Sequence, residues 1–176
     1  MIRPGNQPEV YSPKPRISFL LVLLLLSILL DFLQSRFLPL YLNLDWTLIF
    51  VFYAGWSANA VKGAVTGTVF GITQDFLLGV MLGINGAIKT VIGYLASYLS
   101  SILNPDLEGL MRFCLLGVVS FLNNLILYKS HLLLAGYQIE TPVLSILAGA
   151  VLTGIAGDLV FRLLDRMQSS PKQFMS

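Results

Sequence analysis

The sequence predicts an all-α integral membrane protein of about six transmembrane helices. Of its 176 residues, 56% are hydrophobic and only 11% are charged, and the mean hydropathy is +0.79. Soluble domains carry about 25% charged residues, and a soluble core of this size could not hide so much apolar surface from water. The apolar residues also fall in segments of helical length that are separated by short polar stretches, as expected of helices that cross a membrane.

The first predicted helix covers residues 17–32 and contains the run LLVLLLLSILL, which Asp31 closes. It follows a polar N-terminal tail, residues 1–16, with four prolines and three basic residues. A basic flank before an apolar run is also typical of a signal peptide. Because no cleavage site with small residues follows this run, we expect an uncleaved first span.

The next three predicted segments cover residues 44–59, 62–78 and 84–102. Several predicted segments are shorter than the roughly 20 residues that cross a bilayer. A single broken hairpin over the second and third segments would therefore lower the number of spans. Aromatic residues in and around the second segment suit either the membrane interface or packing in the core; they are Tyr41, Trp46, Tyr53 and Trp56.

The last two predicted segments cover residues 110–134 and 143–164. The turn signal Asn104-Pro105-Asp106 precedes the fifth segment, and a polar loop, AGYQIETP, precedes the sixth. The chain is therefore interpreted as one six-helix transmembrane domain, residues 17–166, between the tail 1–16 and a second tail, residues 167–176.

The basic residues predict the orientation of the helices, because Lys and Arg accumulate on the cytoplasmic side of a membrane. The two ends of the chain carry equal numbers of them: Arg3, Lys14 and Arg16, then Arg162, Arg166 and Lys172. Equal ends favour the same side and hence an even number of spans. With six spans, Lys62 and Arg112 also lie inside, whereas Arg36 and Lys129 lie outside. Both termini are therefore predicted to be cytoplasmic.

A ladder of small residues occupies residues 63–83, which read GAVTGTVFGITQDFLLGVMLG. Every fourth position is small or polar: Gly63, Gly67, Gly71, Asp75, Gly79 and Gly83. In a bilayer, glycine lets helix backbones approach closely. Because each step of four residues drifts by about 40°, we expect the first three glycines to share a face and the last two to lie in a turn. Gly154 and Gly157 add to the residues predicted for helix packing or a partner interface.

Asp75 and Lys89 are ionisable residues within apolar segments, and such residues are candidate functional residues. If the chain turns near Leu82, the two residues lie at similar depth. We hypothesise a structural ion pair between them, which would lower the cost of burying either charge. Two alternatives remain open. Both residues could line a polar cavity or transport path, or Lys89 could reach the interface while Asp75 caps a helix or faces water.

Two further pairs of polar residues lie in the last two segments. Asp158 and Arg162 are four residues apart, so we expect an ion pair on one helix face near the cytoplasmic surface. Asn123 and Asn124 are predicted to form hydrogen bonds between helices.

No pattern in the sequence indicates a catalytic, metal or cofactor site. The motifs HExxH, GxSxG and Walker A are absent. The single cysteine, Cys114, excludes a disulfide framework. A formal charge of +2, without a dense basic run, argues against nucleic acid as a partner. A non-enzymatic protein without a cofactor is therefore predicted.

The block of residues 67–99, GTVFGITQDFLLGVMLGINGAIKTVIGYLASYL, resembles the signature region of the MreD family of bacterial rod shape-determining membrane proteins. The residues that carry the resemblance are Gly67, Gly71, Asp75, Gly79, Leu82, Gly83, Ala87 and the sequence Gly93-Tyr94-Leu95. The resemblance implies a multi-pass protein of the bacterial inner membrane, similar in fold to the S-components of energy-coupling-factor transporters. Lys89 and the proline-rich tail do not match this pattern.

The resemblance also implies a function, which is that of a scaffold in a lipid membrane. Its expected partner is an MreC-like protein, within the complex that synthesises peptidoglycan during cell elongation. That complex contains RodA with its partner transpeptidase, and MreB-like filaments would be contacted indirectly. The alternative is a small substrate-binding subunit of a vitamin-uptake transporter, which would need convergent polar groups in a pocket. The sequence offers few such groups: Asn85, Lys89, Tyr94, Asn123 and Asn124. A membrane-embedded enzyme is the weakest of the three interpretations.

Overall fold

A computed structural model describes residues 17–37, 44–78, 83–102, 108–135 and 143–169. These residues form six α-helices and no strand. In chain order the helices are α1 (Ile17–Phe37), α2 (Trp46–Ser57), α3 (Ala60–Leu78), α4 (Ile84–Ile102), α5 (Glu108–Ala135) and α6 (Val143–Ser169). The predicted all-helical class is therefore confirmed for the described residues.

Three of the helices are long and apolar enough to cross a membrane. The candidate spans are Ile17–Gln34 in α1, Gly109–Lys129 in α5 and Leu144–Met167 in α6. Large hydrophobic side chains on these helices point outward, among them Leu25, Val118 and Leu159. Long helices with an apolar outer surface are suited to the hydrocarbon core of a membrane. The chain is therefore a membrane protein. The number of spans, six, stays a prediction.

The second predicted segment corresponds to a short helix in the centre of the molecule. Helix α2 has 12 residues, which gives it a length of about 18 Å, well short of a hydrocarbon core of about 30 Å. Every residue from Thr47 to Gly55 is buried, and α2 contacts all five other helices. Its aromatic side chains pack inside the bundle, where Tyr53 meets Phe161 edge to face at 4.9 Å.

The other helices are arranged as two hairpins and a single helix around α2. Helices α3 and α4 form the most extensive pair, and α5 and α6 form the second. Helix α1 lies mainly against α2. The position of α2 is important for the polar groups, because its N-cap Asp45 reaches Lys89 of α4 and Trp56 near its C-terminal end lies under Arg112 of α5.

Candidate functional site

The contact between α3 and α4 is built on glycine. Gly63, Gly67 and Gly71 share one face of α3, as the spacing predicted, and this face lies directly against α4. A Cβ atom added at any of them would come closer than 3.0 Å to backbone atoms of α4. Gly93 of α4 is equally close to the backbone of α3. The two backbones are therefore in direct contact, and this glycine face is covered within the chain.

The remaining glycines predicted for an interface have different surroundings. Gly83 precedes α4 with a φ of 101°, a left-handed conformation that suits a turn residue, and it is exposed. Gly154 and Gly157 of α6 lie against Phe113 and Leu116 of α5. Gly79 lies outside the described residues. The glycines of α6 are therefore also used for helix packing within the chain.

Asp75 caps the beginning of α4. Its carboxylate accepts hydrogen bonds from the backbone N–H of Gly83 at 2.8 Å and from those of Asn85 and Gly86, each at 3.3 Å. The side-chain amide of Asn85 donates a further bond at 2.8 Å. The first N–H groups of a helix have no partner within it and carry partial positive charge. They therefore stabilise the Asp75 carboxylate, which is fully buried.

The hypothesised ion pair between Asp75 and Lys89 does not form. The Lys89 Nζ atom lies 3.0 Å from both carboxylate oxygens of Asp45, and it also donates to the amide oxygen of Gln74. Asp45 is the N-cap of α2 and accepts a bond from the Leu48 N–H at 2.8 Å. The prediction was wrong because the Asp75 oxygens are taken by α4 backbone groups, while the centrally placed α2 brings Asp45 to Lys89.

The Asp45–Lys89 pair is part of a larger polar network, which we call the Lys89 network. Gln74 also donates to Asp31 of α1, at 3.3 Å, and the Thr47 hydroxyl donates to the same Asp31 oxygen at 2.6 Å. On the opposite side, the Asn123 amide of α5 donates to Asp45 at 3.1 Å. The network therefore joins α1, α2, α3, α4 and α5 near the N-terminal end of α2.

The prediction of an interhelical hydrogen bond is confirmed for Asn123, which is 1% exposed. Asn124 is only partly buried. Neither Asp45 nor Gln74 was predicted as part of a site from the sequence. Asp45 had a local signal, because an Asp directly before an apolar run is typical of a helix N-cap. No local signal distinguishes Gln74, since its place between Lys89 and Asp31 depends on the packing of three other helices.

A second polar group, which we call the Arg112 cluster, lies at the C-terminal end of α2. The Arg112 guanidinium lies over the rings of Trp56 and Phe161, at 5.6 and 5.1 Å from their centroids, and pairs with Asp165 at 3.0 Å. Such stacking combines cation–π attraction with an ion pair. Arg112 thereby connects α5 to α2 and α6.

The predicted pair of Asp158 and Arg162 is confirmed, with an N–O distance of 2.8 Å. The Arg162 side chain is 66% exposed. This pair therefore lies on the surface of α6 and makes no contribution to the buried Lys89 network.

The polar residues of the site connect helices of the bundle to one another through hydrogen bonds and ion pairs. The described residues contain no cluster of three or more His, Cys, Asp or Glu side chains that could hold a metal ion. The buried charge of Lys89 is directed at Asp45, and the Asp75 carboxylate is directed at a helix terminus. Both arrangements fix helices relative to one another.

Comparison with known proteins identifies one family. A family model described as rod shape-determining protein MreD matches residues 14–164, which is most of the chain. No curated protein and no solved structure matches the chain.

Proposed function

The chain belongs to the MreD family of rod shape-determining proteins, and from this we propose that it is a non-enzymatic membrane scaffold of the cell-elongation complex. The observation that carries the proposal is the family match itself, because it extends over all six helices except the last few residues of α6. We propose that the protein binds an MreC-like partner, and that it acts with RodA and its transpeptidase partner during peptidoglycan synthesis. Contact with MreB-like filaments would be indirect.

The arrangement of the buried polar groups supports a scaffold. In a membrane, buried charged groups typically line transport paths or proton relays unless they are bonded to one another. Among the described residues, the charged side chains of Asp75 and Lys89 are fully buried. Asp75 binds backbone N–H groups at the beginning of α4, and Lys89 pairs with Asp45 in a network that connects five helices. Interactions of this kind favour one rigid arrangement of helices. A rigid bundle with an apolar exterior is suited to presenting fixed faces to other membrane proteins.

The proposed location is the bacterial inner membrane, with several membrane passes and both termini in the cytoplasm. The distribution of Lys and Arg supports this orientation. In this orientation the Lys89 network lies toward the outer surface and the Arg112 cluster toward the cytoplasm. The family match gives no support to the alternative of a transporter subunit.

Depletion of the protein in its own cells tests the role in cell shape. We expect rod-shaped cells to widen and become round as the protein is lost, with the length-to-width ratio measured by microscopy. Re-expression of the native chain should restore rods, and so should Arg162→Gln, which alters only an exposed ion pair. Cells that keep their width after complete depletion would contradict the proposed function.

A pull-down from native membranes tests the partners. The tagged chain is extracted in mild detergent, and co-purifying proteins are identified by mass spectrometry against an untagged strain. We expect an MreC-like protein and the RodA–transpeptidase pair to be enriched. Enrichment of transporter ATPase subunits in their place would contradict the scaffold and favour the transporter subunit.

A further inference from the structure

Two fully buried hydroxyl groups belong to helices α5 and α6. The side chains of Ser120 and Thr153 are 0% exposed, and neither hydroxyl has a hydrogen-bond partner among the described residues. In α3 and α4, by contrast, the hydroxyls of Thr66, Thr68 and Thr90 donate to the carbonyl oxygen four residues earlier, at 2.7, 2.9 and 2.6 Å. Burying a hydroxyl without a partner is costly, so the two groups indicate a place where a further molecule binds.

The register of α5 against α6 places these two hydroxyl groups opposite each other. The Arg112 guanidinium of α5 lies over the ring of Phe161 in α6. One turn further along α5, the Leu116 side chain lies against Gly157, which is one turn earlier in α6. The next turn, again about four residues in each helix, brings Ser120 opposite the hydroxyl-bearing residue of α6.

A third polar atom without a partner belongs to Asn123, one turn after Ser120. Its Nδ2 atom donates to the Asp45 carboxylate at 3.1 Å, so the amide oxygen is directed elsewhere. This Oδ1 atom is buried and has no donor among the described residues. Side chains three residues apart on a helix have Cβ atoms about 5–6 Å apart. One water molecule with hydrogen bonds of about 2.8 Å on each side spans such a gap.

The packing of α5 against α6 becomes less close toward these three side chains. A Cβ atom added at Gly154 would lie 3.1 Å from the carbonyl oxygen of Phe113, whereas one added at Gly117 would lie 3.7 Å from that of Ala150. The second contact is one turn nearer to Ser120. A buried water needs room and two to four polar partners, and this part of the helix contact offers three partners where the packing is looser.

We propose that the contact between α5 and α6 contains a binding site for an ordered water molecule, held by Ser120, Asn123 and Thr153. The water donates to the Asn123 oxygen and exchanges one hydrogen bond with each hydroxyl. It thereby makes three hydrogen bonds, which is typical of buried water. Because Asn123 also binds Asp45, the water extends the Lys89 network, which joins α1 to α5 by direct hydrogen bonds, to α6.

A hydrogen bond made directly between the two hydroxyl groups is the alternative to the water. It would satisfy Ser120 and Thr153, but the Asn123 oxygen would still lack a donor. A water molecule can donate two hydrogen bonds and accept two, so it serves all three atoms. The Asn123 oxygen therefore favours the water.

A crystal structure of the full chain grown from a lipid phase, at a resolution that shows ordered water, tests the proposal directly. We expect a density peak within hydrogen-bond distance of Ser120, Asn123 and Thr153. The peak should be lost in Thr153→Val, which keeps the shape of the side chain but removes its hydroxyl. A direct bond between the two hydroxyls without the peak would overturn the proposal, and so would hydroxyls bonded to their own helix backbones or a peak that persists in the variant.

Thermal unfolding of variants provides a second test. We expect Thr153→Val to lower the unfolding midpoint by about 2–4 °C. The matched control is Thr73→Val, whose native hydroxyl donates to the backbone of its own helix, and it should change the midpoint less. Combined with Asn123→Ala, Thr153→Val should lower the midpoint by less than the sum of the single losses, because both changes remove ligands of the same water. Additive losses, or a Thr153→Val variant more stable than the native chain, would contradict the water site.

Discussion

The α3–α4 hairpin and the α5–α6 hairpin both contain close-packed glycines and a basic residue that is paired with a carboxylate. In the first hairpin, the glycines meet backbone atoms and Lys89 is fully buried. In the second, Gly157 meets the end of the Leu116 side chain, and Arg162 is 66% exposed. The same residue types therefore have different energetic importance, because backbone atoms meet the glycines of the first hairpin and Lys89 is shielded from solvent.

This difference follows from the position of α2. Helix α2 lies against both α3 and α4, and Lys89 of that hairpin is fully buried. The Asp158–Arg162 pair of α6 lies within a single helix and faces outward. The comparison teaches that the surroundings of a glycine or a charged residue, and not its presence in a motif, determine its importance for stability.

The largest expected effect is that of Lys89→Met, which keeps the long side chain but removes its charge. Asp45, whose side chain is only 11% exposed, would lose its cationic partner, and removal of one member of a buried pair costs about 3–5 kcal/mol. We expect a loss of this size in the free energy of unfolding, measured in mixed micelles by titration with a denaturing detergent and circular dichroism.

The double variant Lys89→Met/Asp45→Asn is the control for this prediction. It removes both charges while Asn still caps α2, so we expect it to recover part of the lost stability. A double variant whose loss equals the sum of the two single losses would show that Lys89 and Asp45 are not coupled.

The second expected effect separates the glycine contacts of the two hairpins. In Gly67→Ala the new methyl group would come closer than 3.0 Å to the backbone of Lys89 and Thr90, so the helices must move apart at a cost of about 1–3 kcal/mol. In Gly157→Ala the Leu116 side chain can rotate away, and alanine gains up to about 1 kcal/mol of helix propensity. We expect little net change there. Equal losses in the two variants, by the same unfolding measurement, would remove the distinction between the hairpins.

The smallest expected effect is that of Arg162→Gln. Exposed ion pairs contribute about 0–1 kcal/mol, so the free energy of unfolding should hardly change, and added salt should reduce even this difference. A loss as large as that of Lys89→Met would mean that the surface of α6 is buried by another part of the protein or by a partner.

Helix positions were largely predictable, because they follow from local apolar runs and their breakers. The fourth predicted segment, residues 84–102, agrees with α4, whose boundaries are Ile84 and Ile102. The shared face of Gly63, Gly67 and Gly71 was predictable for the same reason, since helical geometry fixes the angle between residues four apart. The sequence also showed the MreD-like block before the family match confirmed it over most of the chain.

The partner of Lys89 could not be predicted in this way. The spacing from the turn placed Asp75 opposite Lys89, but Asp75 is occupied by the backbone of α4. Asp45 lies 44 residues from Lys89 in the chain, and local periodicity contains no information about such a pair. The same holds for α2, whose apolar composition suits a membrane span although its 12 residues form the centre of the bundle.

The sequence by itself determined that this is a helical membrane protein of the MreD type. It also determined where the helices lie and which face of α3 carries the glycines that allow close contact. These properties depend on composition and on the period of a helix, which are local. Only the tertiary structure decided that α2 lies at the centre of the bundle and that Lys89 binds Asp45. Those properties depend on which helices become neighbours, and the low-dielectric interior makes the choice of neighbour for each charge energetically decisive.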